Sequence, residues 1–253
     1  MKVSALGFRF RSLIFWVVCG LGFTAPWDLV LHLDGTGPNS HVWGQLAVLL
    51  SRGGALSISA AFNLVLVVGI VCAVAGAWMR TWGSAYLGVD VMSDAKMRAD
   101  EVVADGPYAH LRNPLYVGGW LNTLALALLM PPSGAIFTIA VLSALQAYTI
   151  LREEAFLRAK LGEPYVAYCA RVPRFLPKPR SQKRDLGHPI GGSGTRPRWR
   201  QAAVAEIFMW GSAVTFALLG WRYDAHLLIQ GVLVSLGASL VVKGLAKQPH
   251  PAT

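Results

Sequence analysis

Gly118-Gly119-Trp120-Leu121-Asn122-Thr123-Leu124-Ala125-Leu126-Ala127-Leu128-Leu129-Met130 is followed by Pro131-Pro132-Ser133-Gly134, and then by Ala135 to Leu151, without one charged side chain. This stretch decides the fold. A Pro/Gly-rich break of four residues between two apolar runs reads as a tight turn. The runs are therefore two antiparallel helices, a hairpin over about residues 117–151. A membrane-spanning helix needs about 20 mainly apolar residues. The first run reaches that length only if residues before Gly118 also enter the membrane.

Working outward, residues 55–79 form an uncharged run closed by Trp78, Arg80 and Trp82, the residue types of a membrane boundary. Residues 12–31 make a further candidate span after Lys2, Arg9 and Arg11. A cleaved signal peptide also begins this way, but the apolar run continues to Leu33 and Ala25-Pro26 is a poor cleavage site, which favours a retained helix. Residues 35–39 are a loop by composition, and His41 to Leu50 is too short to span. Residues 202–221 and 225–245 form a last pair around Arg222-Tyr223-Asp224. The expected architecture is an all-α integral membrane bundle of about six transmembrane helices.

Composition agrees. Hydrophobic residues make up 54% of the 253 residues and charged residues 14%, with a mean hydropathy of +0.46. Soluble domains average about 25% charged residues, and so few charges cannot cover a soluble surface. The apolar content also excludes a disordered chain. The net charge of +10 would suit a nucleic-acid binder if it were spread over one face. It is concentrated instead: nine Lys/Arg and a single acidic residue, Asp185, lie between Arg171 and Arg200. With the N-terminus inside, 21 of the 23 Lys/Arg fall on the inner side, Arg52 and Arg222 excepted. That is the positive-inside pattern of a cytoplasmic face, and a polybasic segment there suits anionic headgroups. Cys19, Cys72 and Cys169 form neither an even disulfide set nor a CxxC pair, so no metal site is expected from them.

Ionisable residues are nearly absent from the spans, which gives little to an ion-coupled transporter. Polar side chains collect instead in two segments flanking the hairpin. The first, Asp105-Gly106-Pro107-Tyr108-Ala109-His110-Leu111-Arg112-Asn113-Pro114-Leu115-Tyr116, has the Pro spacing of irregular backbone. Such backbone is tolerated at membrane depth where it lines a cavity. The second begins Arg152-Glu153-Glu154 and continues, past a break near Gly162, through Tyr165, Tyr168, Arg171, Val172, Pro173 and Arg174. Residues 152–170 read as an interfacial amphipathic helix. Adjacent glutamates point about 100° apart on a helix. Glu154 has the i,i+4 spacing to pair with Arg158, leaving Glu153 to face inward.

In this order and spacing, Gly106-Pro107-Tyr108, Arg112-Asn113-Pro114-Leu115-Tyr116, the hairpin, Glu153-Glu154, Gly162, Tyr165, Tyr168 and Val172-Pro173-Arg174 resemble the isoprenylcysteine carboxyl methyltransferase/phospholipid methyltransferase family. The resemblance covers about residues 60–177. It departs from the usual Arg-His-Pro by placing Asn113 at the His position, so a charge there is lost while a donor and an acceptor remain. The resemblance implies S-adenosylmethionine as methyl donor and a lipid or lipidated acceptor, carboxylate or amine, at the cytoplasmic boundary. It implies cofactor contacts from Gly106, Pro107, Tyr108, Arg112, Asn113, Pro114, Tyr116, Glu153, Glu154, Tyr165 and Tyr168, with Glu153 the main carboxylate. Arg112, Glu153 and Arg174 are the expected catalytic residues. Four regions follow: an N-terminal span and loop (1–54), a methyltransferase core (55–177), a basic linker (178–201) and a C-terminal span pair (202–253). Two other classes share the helical frame, a small transporter or receptor and another lipid-modifying enzyme such as a reductase.

Overall fold

The computed structural model describes residues 11–25, 41–54, 56–88, 102–176 and 196–246. Among these, all regular structure is helical: α1 (Arg11–Thr24), α2 (Val42–Arg52), α3 (Ile58–Leu87), α4 (Pro114–Ala127), α5 (Pro132–Leu161), α6 (Glu163–Arg171), α7 (Trp199–Ala205), α8 (Ile207–Leu219) and α9 (Ala225–Ala246). Short 3-10 turns occupy Gly106–Ala109 and Gly220–Arg222. The protein is an integral membrane helical bundle. Most of the expected basic linker and the end of the first expected span, residues 26–31, lie outside the described residues.

Where six spans were expected, three described helices are long and apolar enough to cross: Ile58–Leu87, Pro132–Leu161 and Ala225–Leu245. A fourth is counted if the pair Trp199–Ala205 and Ile207–Arg222, bent by 68°, is one span. Helix α4 is short for a reason of geometry, and the first candidate is described only from Arg11 to Ala25. Helix α4 has 14 residues. At about 1.5 Å per residue that is about 21 Å, against a hydrocarbon core of about 30 Å.

Helix α3 is the axis on which α2, α4, α7 and α8 pack. Its start is fixed by Ser57, whose side chain accepts from the Ala60 N–H at 3.2 Å. Small residues let α3 and α4 touch backbone to backbone: a Cβ on Gly76 would come 2.8 Å from the Gly118 carbonyl oxygen. That close approach is the membrane form of helix packing, where van der Waals contact replaces a hydrophobic driving force. Polar cross-links add to it, Ser212 Oγ donating to Asn122 Oδ1 at 2.9 Å and Trp210 Nε1 to Thr81 Oγ1 at 2.9 Å.

The hairpin is present, with two adjustments. Its first arm starts at Pro114, four residues before the uncharged run from Gly118, and its second runs past Leu151 to Leu161. Arg152, Glu153 and Glu154 therefore sit on the spanning helix itself rather than on a separate interfacial one. The expected break is at Gly162, which takes φ 62°, and α6 follows. The turn between the arms is closed from outside: the Val42 and Trp43 N–H groups donate to the Met130 and Leu128 carbonyls at 3.0 and 2.9 Å. Orphan donors of one helix start thus satisfy orphan acceptors of a helix end.

Candidate functional site

The first polar segment is shaped by one glycine. Gly106 has φ 59°, and a Cβ there would lie 2.6 Å from the Tyr86 ring, so neither conformation nor space admits another residue. The 3-10 turn that follows buries Pro107 and Tyr108. Asn113 then precedes α4, with Pro114 opening the helix at the position where a missing N–H costs nothing.

Two long-range links fold the second segment over the first. The Arg112 N–H donates to the Pro173 carbonyl at 2.9 Å. Tyr168 Oη donates to the Tyr108 carbonyl at 2.8 Å. Tyr165 and Tyr168, ring centroids 5.8 Å apart, are both buried with Val172. Tyr165 and Tyr168 thus pack the cover of the site, and Gly106 and Pro107 shape its floor.

At the centre is Glu154, 4% exposed. Arg174 grips it in a fork, Nε to Oε1 at 3.0 Å and Nη2 to Oε2 at 2.7 Å. Arg112 Nη1 reaches Oε2 at 3.1 Å. Asn113 Nδ2 lies 3.4 Å from both Oε1 and the Arg174 carbonyl. A carboxylate this buried persists only when paired and hydrogen-bonded, and this one is served by three side chains from two sequence segments. The expected Glu154–Arg158 pair is therefore corrected: the helix turns Glu154 inward, and Arg112 and Arg174 take its oxygens. Asn113 acts as a neutral donor, a role that needs no imidazole. The carboxylate in turn holds the Arg174 guanidinium even more firmly charged than usual, chiefly through their hydrogen bond.

Glu153, one residue earlier, faces a different neighbour. Tyr116 Oη donates to its Oε1 at 2.7 Å. Beside it Tyr108 is buried, and its hydroxyl has no partner among the described residues; Arg112 Nε is equally without one. Burial, and after it the Glu153 charge, pushes the Tyr108 phenol up from its ordinary range. Burial does the same to Tyr165 and Tyr168. These hydroxyls stay protonated at neutral pH; Tyr168 donates to the Tyr108 carbonyl, and the Tyr108 hydroxyl has a proton to offer.

Sequence reasoning missed a second charged cluster at this end of the bundle. Arg80, read as a boundary residue, turns inward from α3 and grips Glu206 in a fork, Nε to Oε2 at 2.7 Å and Nη2 to Oε1 at 3.0 Å. Ser84 Oγ adds a bond to Oε1 at 2.9 Å. Glu206 stands at the junction of α7 and α8, so the run expected to be one straight span is bent there. Arg80 is within electrostatic reach of Tyr108 and Tyr116. A Cβ at Gly119 would project between Arg80 Nη1 and Gln146 Nε2, 3.8 Å from each. The signal was an Arg at one apolar run and a Glu at another, but pairing across 126 residues cannot be read from one sequence.

A polar site at a helix-bundle end, two adjacent glutamates on one helix and an irregular Tyr/Arg/Asn segment facing them now stand together. Residues 64–163 match the phospholipid methyltransferase family. The match takes in the α3–α5 frame, the first polar segment and both glutamates, and ends before Tyr165, Tyr168 and Arg174. It supports membrane methyl transfer in general. The chain is also 27% identical over 121 residues to the nickel-cobalt-cadmium resistance protein NccN of Alcaligenes xylosoxydans xylosoxydans, a stretch that is 48% of this chain and 52% of that one. The chain thus spans about half the length of the curated relative it matches. No solved structure matches it.

Proposed function

We propose that the chain transfers a methyl group from S-adenosylmethionine to a lipid or lipidated acceptor, carboxylate or amine, at the cytoplasmic membrane boundary. The observation that carries this reading is the buried pair of unsatisfied donors, Tyr108 Oη and Arg112 Nε, beside Glu153 and inside the matched stretch. Buried donors without partners are rare in finished structures. The donor set fits the cofactor: a carboxylate for its ammonium or ribose hydroxyls, guanidinium N–H for its carboxylate, phenol rings for its cation.

When bound, the cofactor supplies an electrophilic methyl on a sulfonium, a leaving group that needs no metal. The protein's part is alignment and exclusion of water. Glu153, with Tyr116 fixing one oxygen, would hold the cofactor; Glu154 serves by locking Arg112, Asn113 and Arg174 in place. Tyr168 and the Val172–Arg174 backbone close the site. In this reading residues 55–177 are the catalytic core, the following basic segment lies on the anionic inner leaflet, and the C-terminal pair is docked to the core through Glu206.

Calorimetry on the full chain in detergent tests the assignment. S-adenosylmethionine and S-adenosylhomocysteine should both bind, and Glu153→Gln and Arg112→Ala should each weaken binding tenfold or more. Unchanged affinity in both variants would remove these residues from the site.

A further inference from the structure

Behind the Glu154 cluster, on the outer flank of α5, is an open groove of about 500 Å³ lined by Leu151, Glu154, Ala155, Arg158, Ala159 and Arg174. Its composition is graded. Leu151, 55% exposed, forms the end nearer the membrane core, Ala155 and Ala159 leave the middle shallow, and two arginines stand at the far part. The Arg158 guanidinium makes no hydrogen bond or ion pair among the described residues; its backbone carbonyl accepts from the Gly162 N–H. Arg174 commits Nε and Nη2 to Glu154 and leaves Nη1 unengaged among the described residues. The Glu154 charge in the groove wall is already matched by Arg112 and Arg174. The groove is therefore positive at one end and apolar at the other.

We propose that this groove binds the phosphate of an anionic membrane lipid, Arg158 and Arg174 holding the headgroup while the acyl portion runs along Leu151 towards the bilayer. The charge complementarity is direct, since guanidinium groups bind phosphate oxygens strongly and with defined geometry. A lipid rather than a free phosphate is indicated by what surrounds the arginines. Phe175 and Leu176, directly after Arg174, are 46% and 80% exposed, and Tyr148, stacked under Arg152 at 5.0 Å, is 58% exposed. Phe175 and Leu176 beside the arginines, and Tyr148 one turn beyond Leu151 at the apolar end, are the residue types of a membrane interface. Because Arg174 also grips Glu154, an anion in the groove touches the back of the candidate site without entering it.

The test reads lipid retention with no S-adenosylmethionine present, so it stands or falls apart from the methyl-transfer reading. The full chain is placed in detergent with equal phosphatidylglycerol and phosphatidylcholine of matched acyl chains, and bound lipid is counted by native mass spectrometry. Wild type should retain phosphatidylglycerol in preference, and Arg158→Gln should cut that preference about fivefold, the scale of one interfacial arginine. Arg158→Glu should cut it further, and Arg222→Gln, at the opposite end, should leave it intact. Equal retention of the two lipids by wild type, or an undiminished preference in both Arg158 variants, overturns the proposal. Displacement of the lipid by millimolar inorganic phosphate would make the groove a site for soluble anions and overturn the lipid assignment.

Discussion

Glu206 and Glu154 are both buried, both gripped by an arginine fork, and both at the same end of the bundle, yet their surroundings differ. Glu206 has one arginine and one serine, and Arg80 spends its remaining edge on the Leu115 carbonyl at 3.4 Å. That cluster closes on itself. Glu154 has two arginines and an amide, drawn from the segment before α4 and the segment after α6, and buried donors are left over beside it. The first arrangement fastens one helix pair to another; the second is complete in its acceptor and incomplete in its donors. Burial and ion pairing by themselves do not distinguish a fastener from a site. What marks the second is two leftover donors together, Tyr108 Oη and Arg112 Nε, inside the stretch that matches the methyltransferase family.

The largest effect should come from breaking the fastener. Glu206→Ala leaves the Arg80 guanidinium without its counter-charge and should destabilise the fold by about 3 kcal/mol, read as a lower melting temperature in detergent. Replacing both partners by methionine should restore much of it, because isosteric apolar pairs often match buried ion pairs. A melting point unmoved by Glu206→Ala would end the contrast.

A smaller effect on stability and a larger one on chemistry is expected at the other cluster. Arg174→Lys keeps the charge but loses the fork. Since Arg174 is partly exposed, melting should shift little while methyl transfer falls about tenfold. An equal fall in both would make the two clusters alike.

Tyr108→Phe sharpens the comparison further. Removing an unsatisfied buried hydroxyl should cost no stability, while S-adenosylmethionine affinity should drop several-fold. Retained affinity would make the hydroxyl a bystander.

The mildest prediction concerns pH. Tyr108, Tyr165 and Tyr168 have phenols raised above the unfolded value of about 10. A raised folded value means that their contribution is fully present below about pH 10 and is lost as pH climbs through the folded value. Melting temperature should therefore be flat between pH 8 and 10 on their account and fall above it.

The hairpin, the break at Gly162 and the two polar segments were legible in the sequence because each is a local signal: an apolar run, a turn, a Pro-rich stretch. What was illegible was direction. Both Glu153 and Glu154 were placed correctly on one helix, but which faced the arginines depended on how α6 folds back, and a guess from i,i+4 spacing sent Glu154 to Arg158. Arg80 and Glu206 were hidden by the opposite problem. Arg80 looked like an ordinary boundary charge, and only packing of α3 against the α7–α8 junction brings Glu206 to it. Span length was less legible, since the first hairpin arm ends as a 14-residue helix at the turn before Pro132.

The account's central claim is tested most directly by incubating the full chain in native membranes with methyl-labelled S-adenosylmethionine and following the label by mass spectrometry of the lipid extract. Label should appear in a lipid or lipidated species with wild type and be lost with Glu153→Gln. Label confined to water-soluble molecules, or equal lipid labelling by the variant, would contradict it.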